Sequence, residues 1–525
     1  MDRQKFIETV EKGYQFKGDS FILGGAMLDK SCVTNTFVKL PLKTFNRHGL
    51  ISGATGSGKS KTLQIIAEQL SAKSVPVLLM DVKGDLSGIA MPSDGHPKID
   101  ERHEMIGFPF TADSSPVEFL SLSKEKGVKL RATVTEFGPI LLSKILDLNS
   151  TQSSIVSVIF QYCDDKKLPL LDLDDFKKVI QYVTGEGKKD FQEIYGRMST
   201  ASTGAILRKV IELEQQGAEQ FFGEPSFEVD DLLRIDENGK GVVSVVRLVD
   251  IQSKPKLFST FMLQLLAEIY STFPEEGDLE QPKLVIFIDE AHLIFEEASD
   301  ALLDQIEVII KLIRSKGVGI FFVTQNPSDI PNAVLSQLGM KIQHSLRAFT
   351  AKDRKNIKLV AQNYPITEFY DVESILTGLG IGEALVTALN EKGIPTPLVH
   401  TLLRAPQSRM DVLTDAELDR LISTSYLVKK YNEDVNRESA YEILTEKIEE
   451  AQAEEKIEER KKQKEKEQKT SRRKEKSTFE KVINSTTTRQ IGRTIARELT
   501  RGILGVLGLG GTTRRRRRRK PKSFW

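Results

Sequence analysis

Eight consecutive residues, Gly53-Ala54-Thr55-Gly56-Ser57-Gly58-Lys59-Ser60, carry the spacing G-x-x-x-x-G-K-[ST] in full. The glycines let the backbone wrap so that successive N–H groups face one point, and a helix starting there adds the positive end of its dipole. Such a cradle binds the phosphates of ATP. Lys59 is expected to reach the β- and γ-phosphates and the Ser60 hydroxyl to ligate Mg²⁺, with Lys61 closing the nucleotide-binding stretch.

A second group of residues supplies what hydrolysis needs. The apolar run Leu284-Val285-Ile286-Phe287-Ile288 ends in Asp289-Glu290. Beside a phosphate loop, Asp289 is expected to hold the magnesium shell and Glu290 to polarise the attacking water. Alone, two acids after a buried strand often mark only its emergence into solvent. Gln325, in Thr324-Gln325-Asn326-Pro327, ends another strand and is a candidate sensor of the γ-phosphate; a polar loop start is the plainer reading. Arg314 closes an apolar helix, where it is either a solvated side chain favoured by the helix dipole or an arginine finger for a neighbouring subunit. Arg47, just before the strand that leads into the phosphate loop, poses the same question. Asp81-Val82-Lys83-Gly84-Asp85 falls at a strand tip, where ligands of open α/β sheets gather, although a simple turn also explains it. His292 reads as a helix-start residue, because no His or Cys lies at a metal-binding distance in sequence.

Elements that place these residues are legible around them. Leu63, Ile66, Ala67 and Leu70 have helical spacing after the loop, and residues 75–80 form an apolar run that ends at Asp81. Strand, phosphate turn, helix and strand make a βαβ unit. Strand patterns return at 241–248, 283–288 and 319–323, with apolar helices at 257–270 and 301–313 between them. The expected fold is α/β, a RecA-like core on a doubly wound, mainly parallel sheet. Residues 1–45 read as a short β-rich segment, 46–115 as the first part of the core and 116–240 as a mostly helical insertion. Residues 241–410 read as the second part of the core and 411–476 as a charged helical linker. The chain closes at 477–525 with a Gly-punctuated amphipathic segment and a basic tail.

The 525 residues carry a net charge of +1, which conceals an asymmetry. Arg514 to Arg519, Lys520 and Lys522 place eight positive charges in the last twelve residues, leaving about −7 for the remainder. A globally basic DNA-binding domain is therefore not what the composition describes. Cys32 and Cys163 are the only cysteines, too few and too far apart for a disulfide framework or a zinc site. No signal-peptide core or membrane-length apolar run is present, so a cytoplasmic protein is expected and membrane association is not.

Together the Asp81–Asp85 tip, the Asp289-Glu290-Ala291-His292 box and the Thr324–Pro327 strand end resemble the HerA/FtsK division of P-loop ATPases. The bacterial HerA-like putative helicases, long catalogued as a domain of unknown function, are the most similar. Leu148-Asn149-Ser150-Thr151-Gln152, Gly380-Ile381-Gly382-Glu383-Ala384-Leu385-Val386 and the segment from Arg489 fit the same family. The resemblance implies a RecA-like core, a hexameric ring, ATP-driven movement along DNA, and an Arg314 that serves a neighbour's site. Archaeal members add an amino-terminal β-barrel that docks a nuclease; the 52 residues before Gly53 are too few for one.

Three functions compete on these residues. A DNA translocase or helicase motor needs basic contacts, for which 124–129 and 352–358 are the clusters available. An ATP-dependent switch acting on a protein or membrane-linked complex would use the tail, 491–511 with Arg514 to Arg519, as its anchor. A kinase or transferase fits least, because adjacent Asp289 and Glu290 favour water as the nucleophile.

Overall fold

Runs of Val, Ile, Leu and Phe without polar alternation belong to strands buried on both faces, and here they assemble one sheet. The computed structural model describes residues 2–474 apart from 252, 253, 278, 296–299, 434 and 436. The amphipathic stretch at 491–511, the arginine run and the rest of 477–525 lie outside the described residues. The chain divides into Met1–Glu449, which holds the sheet, and Glu450–Trp525, whose described part is helical as far as Lys474.

The sheet has twelve strands among the described residues. In chain order these are β1 (Ser20–Leu28), β2 (Ser31–Pro41), β3 (Gly49–Ser52), β4 (Val77–Asp81), β5 (Val117–Ser121) and β6 (Val128–Lys129), then β7 (Val243–Arg247), β8 (Leu284–Ile288), β9 (Val318–Thr324), β10 (Met340–Gln343), β11 (Glu383–Thr387) and β12 (Val399–Leu403). Their order in space is β2-β1-β12-β11-β10-β3-β9-β8-β4-β7-β5-β6. From β10 to β6 every pairing is parallel. The β2-β1-β12-β11 flank is antiparallel and joins β10 antiparallel. Residues 20–41 thus extend the main sheet as a hairpin, preceded by a helix at Arg3–Gly13.

Period-two alternation divides the core between the two faces. Val285 and Phe287 of β8 pack with Leu63, Ile66, Ala67 and Leu70 of the helix Lys59–Ala72. Ile286 and Ile288 pack on the opposite face with Phe258, Phe261, Ile309 and Ile313, from the helices Pro255–Thr272 and Asp300–Ile313.

Five helices, Val134–Ile145, Ser150–Lys166, Leu173–Thr184, Lys188–Tyr195 and Thr200–Gln215, occupy most of the span between β6 and β7. The stretch 116–240, read from the sequence as a mostly helical insertion, opens with two strands of the main sheet, β5 and β6. Glu118 obscures β5 in the sequence; it is buried and paired with Arg234 at 2.6 Å. The 148–152 motif has a local explanation. Asn149 accepts from the Gln152 N–H at 3.0 Å and Gln152 accepts from the Asn149 N–H at 3.1 Å, a capping box that starts a helix. No helix of the described residues is long and apolar enough to cross a membrane.

Candidate nucleotide site

The phosphate loop joins the carboxyl end of β3 to the helix Lys59–Ala72 and is tied to both neighbouring strands. Gly53 donates to the Thr324 carbonyl at 3.3 Å on the β9 side, and Ala54 donates to the Ser345 carbonyl at 2.7 Å past the end of β10. Within the loop, the Ser57 N–H and hydroxyl both reach the Ala54 carbonyl, at 3.2 and 2.7 Å. Thr55 and Gly56 form its exposed tip. Gly53, Gly56 and Gly58 have φ of +149°, +79° and +111°, and Gly58 caps the helix.

A side chain at Gly53 would meet more than strain, because its Cβ would fall 2.5 Å from His344 Cβ. His344 is fully buried beneath the loop, its Nε2 2.9 Å from the Thr62 hydroxyl, and burial pushes its pKa down to about 4. Gly53→Ala should therefore lower folded stability by about 1–3 kcal/mol and weaken nucleotide binding, read by thermal melts with and without nucleotide.

Lys59 is buried and folded back, donating to the carbonyls of Gly53 at 2.7 Å and Ala54 at 3.1 Å. Burial, and next the Lys83 charge, hold its pKa below the ordinary lysine value. Ser60, half-buried, follows in the first helical turn. The Lys61 side chain turns away from the loop to the Met410 carbonyl at 2.5 Å and Gln64 at 3.2 Å. Gly58, Lys61, Thr62, Arg102, Ile381 and Met410 line a cleft of about 290 Å³ beside the loop. The Gly380–Val386 motif enters here, where Gly382 donates to the Ser57 carbonyl at 3.2 Å.

Parallel order sets the acid pair two strands away, since β9 lies between β3 and β8. Asp289 is 1% exposed, and its Oδ1 is buried with no hydrogen-bond partner. Burial raises its pKa, Lys83 opposes the shift, and Glu290 adds to it. An orphaned carboxylate oxygen at a strand tip suits a divalent ion, so Asp289 and Ser60 are the residues that would hold Mg²⁺. Among the described residues no cluster of three or more His, Cys, Asp or Glu is built for a metal.

Glu290 is mostly buried, in left-handed backbone at φ +47°. Its Oε2 lies 3.2 Å from His292 Nδ1, which gives the helix-start histidine a place beside the acid. Burial works to raise the Glu290 pKa, but the Lys83 hydrogen bond and charge outweigh it and hold it below the ordinary range. Lys83 comes from the neighbouring strand β4, with Nζ 2.5 Å from Glu290 Oε1 and 3.3 Å from Asp289 Oδ2. Burial opposes its charge, and the two acids overcome that and raise its pKa.

Gln325 is exposed at the carboxyl tip of β9, the strand between the loop and the acids. Arg314 lies elsewhere. With Arg47, Lys311 and Lys341 it lines a cleft of about 560 Å³ beside His48 and Gly339. Those two residues precede β3 and β10, so the cleft sits at the end of the parallel strands opposite the phosphate loop.

Sequence reasoning singled out the strand tip that carries Lys83 but not its pairing with both acids, and it missed two contacts of the loop: His344, and Arg347, which donates to the Thr55 carbonyl at 3.2 Å. Only the position of each at or just past the carboxyl end of a strand could have pointed to it.

Comparison with known proteins bears on the family and the fold. Residues 28–516 match the family described as Helicase HerA-like C-terminal. The DNA double-strand break repair helicase HerA of Sulfolobus acidocaldarius is 23% identical over 390 residues, covering 72% of this chain and 69% of its own. That of Saccharolobus solfataricus is 24% identical over 381 residues, covering 71% and 67%. The unbound conjugative coupling protein TrwBdeltaN70 shares the fold at a TM-score of 0.50 and 14% identity, over 78% of this chain and 95% of its own. The matched span takes in the whole phosphate loop and the acid pair, and the chain belongs to the HerA-like helicase C-terminal family, as a P-loop ATPase of HerA/FtsK type on a RecA-like core.

Proposed function

We propose that the chain is an ATP-driven ring motor, a hexamer, that moves along DNA. The observation that carries the motor reading is the tie between the phosphate loop and a basic helix. Ser345 accepts from Ala54 and Arg347 donates to Thr55, and the same segment leads into the helix Ala351–Ala361. On that helix Lys352, Arg354, Lys355 and Lys358 are all exposed, and Phe349 just before it is 80% exposed. A change at the triphosphate is thereby passed to a surface able to hold phosphates and stack on a base. The other basic cluster is less available, since Lys126 pairs with Asp419 at 2.7 Å.

The relatives named as DNA repair helicases support DNA as the track. For ATP itself, the cleft beside Lys61 and Thr62 offers an apolar place for the base. Gln325 is assigned to the γ-phosphate. Arg314 and Arg47, away from their own loop, are assigned to the neighbouring subunit's nucleotide, which requires a ring.

The test is steady-state ATPase at fixed salt, with and without duplex or single-stranded DNA, using Lys59→Ala as the blank. DNA is expected to stimulate the rate several-fold. Lys352→Glu with Lys355→Glu should remove most of that stimulation and leave basal turnover in place. ATPase indifferent to both DNA forms would sink the motor reading and favour a switch acting on a protein partner.

A further inference from the structure

Two adjacent carboxylates held at one buried strand end repel each other and lose hydration, and a single cation in reach of both offsets each cost. Lys83 is that cation, 2.5 Å from Glu290 Oε1 and 3.3 Å from Asp289 Oδ2. It is held there by a fixed turn. Asp81, 1% exposed, accepts from the N–H groups of Gly84 at 2.7 Å, Asp85 at 3.2 Å and Leu86 at 3.2 Å, and Gly84 turns the chain at φ +76°. Lys59, the other buried ammonium of the site, is occupied with loop carbonyls. Lys83 is therefore the ammonium that stands within hydrogen-bond reach of both acids. A divalent ion on Asp289 would bring two like charges within a few ångströms of that ammonium, an arrangement that does not persist without a polyanion to hold both.

We propose that Lys83 is a positioning residue that fills the cation place between Asp289 and Glu290 until a metal–triphosphate complex displaces it. The metal then enters with the nucleotide and not before it. The inference rests on Asp289 as a metal ligand. Lys83 holds the acids apart from free Mg²⁺, and its removal opens Asp289 to a bare ion.

Mn²⁺ is the probe, followed by electron paramagnetic resonance of free ion over the full-length protein, with and without a non-hydrolysable ATP analogue. Wild type is expected to bind Mn²⁺ strongly only with the analogue. Lys83→Met should bind it without nucleotide ~tenfold or more tighter than wild type. Lys83→Arg should behave as wild type, and adding Asp289→Asn to Lys83→Met should cancel the gain. Lys83→Gln, which keeps a polar, uncharged end on a slightly shorter side chain, carries the same expectation should the methionine variant fail to fold. If neither neutral variant gains nucleotide-free Mn²⁺ binding while Asp289→Asn abolishes the analogue-dependent binding of wild type, the placeholder role is overturned and the metal-ligand reading stands. Analogue-dependent binding, in excess of that of the free analogue, that Asp289→Asn leaves at wild-type affinity would overturn both.

Discussion

Replacing Glu290 by Gln should cut steady-state ATP hydrolysis by about 10²–10⁴-fold while leaving nucleotide binding within a few-fold of wild type. The substitution preserves shape and one acceptor oxygen but removes the charge that draws a proton from water. Asp289 and Ser60, which would hold the metal, are untouched, so a fluorescent ATP analogue should still bind and Mg²⁺ should still tighten it. The variant also loses the negative charge that Lys83 meets at 2.5 Å, but Asp289 retains the same ammonium at 3.3 Å. A single-turnover assay separates the outcomes. Slow chemistry with normal binding supports Glu290 as the base, whereas loss of binding and chemistry together would recast it as a structural acid.

The second large effect is expected at the cleft remote from the loop. Arg314→Ala should lower turnover by about 10³-fold, the scale of an arginine supplied to a transferring phosphoryl group. Arg47→Ala should act in the same direction, because both side chains line the one cleft. Mixing distinguishes action on a neighbour from action within the chain. Lys59→Ala and Arg314→Ala proteins are each expected to be inactive alone. Co-assembled, some interfaces pair an intact Lys59 from one subunit with an intact Arg314 from the next. At equal mixing that is about a quarter of interfaces, and activity should return in proportion. No recovery from verified mixed rings would show that Arg314 works within its own subunit, or only in folding.

Local chemistry in the sequence located the loop, the acid pair and the strands bearing them. A glycine-rich turn needs particular residues at fixed offsets, and a strand buried on both faces needs unbroken apolar runs such as 284–288. Helices also declared themselves through their spacing, Leu63, Ile66, Ala67 and Leu70 among them. Of the other strands, β1 and β2 were legible only as a β-rich segment over 1–45, and β5, β6, β10, β11 and β12 were not legible at all. β5 holds Glu118, a residue acceptable in a buried strand only because Arg234 answers it from 116 positions away. β10, β11 and β12 are short, and their apolar pattern is spread over three segments whose pairing no local rule foretells.

Function divides along the same line. Residue types and spacing within single segments were enough to mark a P-loop and the acid pair that follows a buried strand, because that pattern is written in contiguous residues. Tertiary structure decided which distant segments complete it. It set Lys83 against Asp289 and Glu290, over 200 positions away, because β4 and β8 are neighbours in the sheet. It put His344 under Gly53 because β10 pairs with β3. It sent Arg47 and Arg314 together to the far end of the parallel strands. Strand order, a sum of long-range burial and backbone pairing, determines those meetings, and no single stretch of sequence carries it.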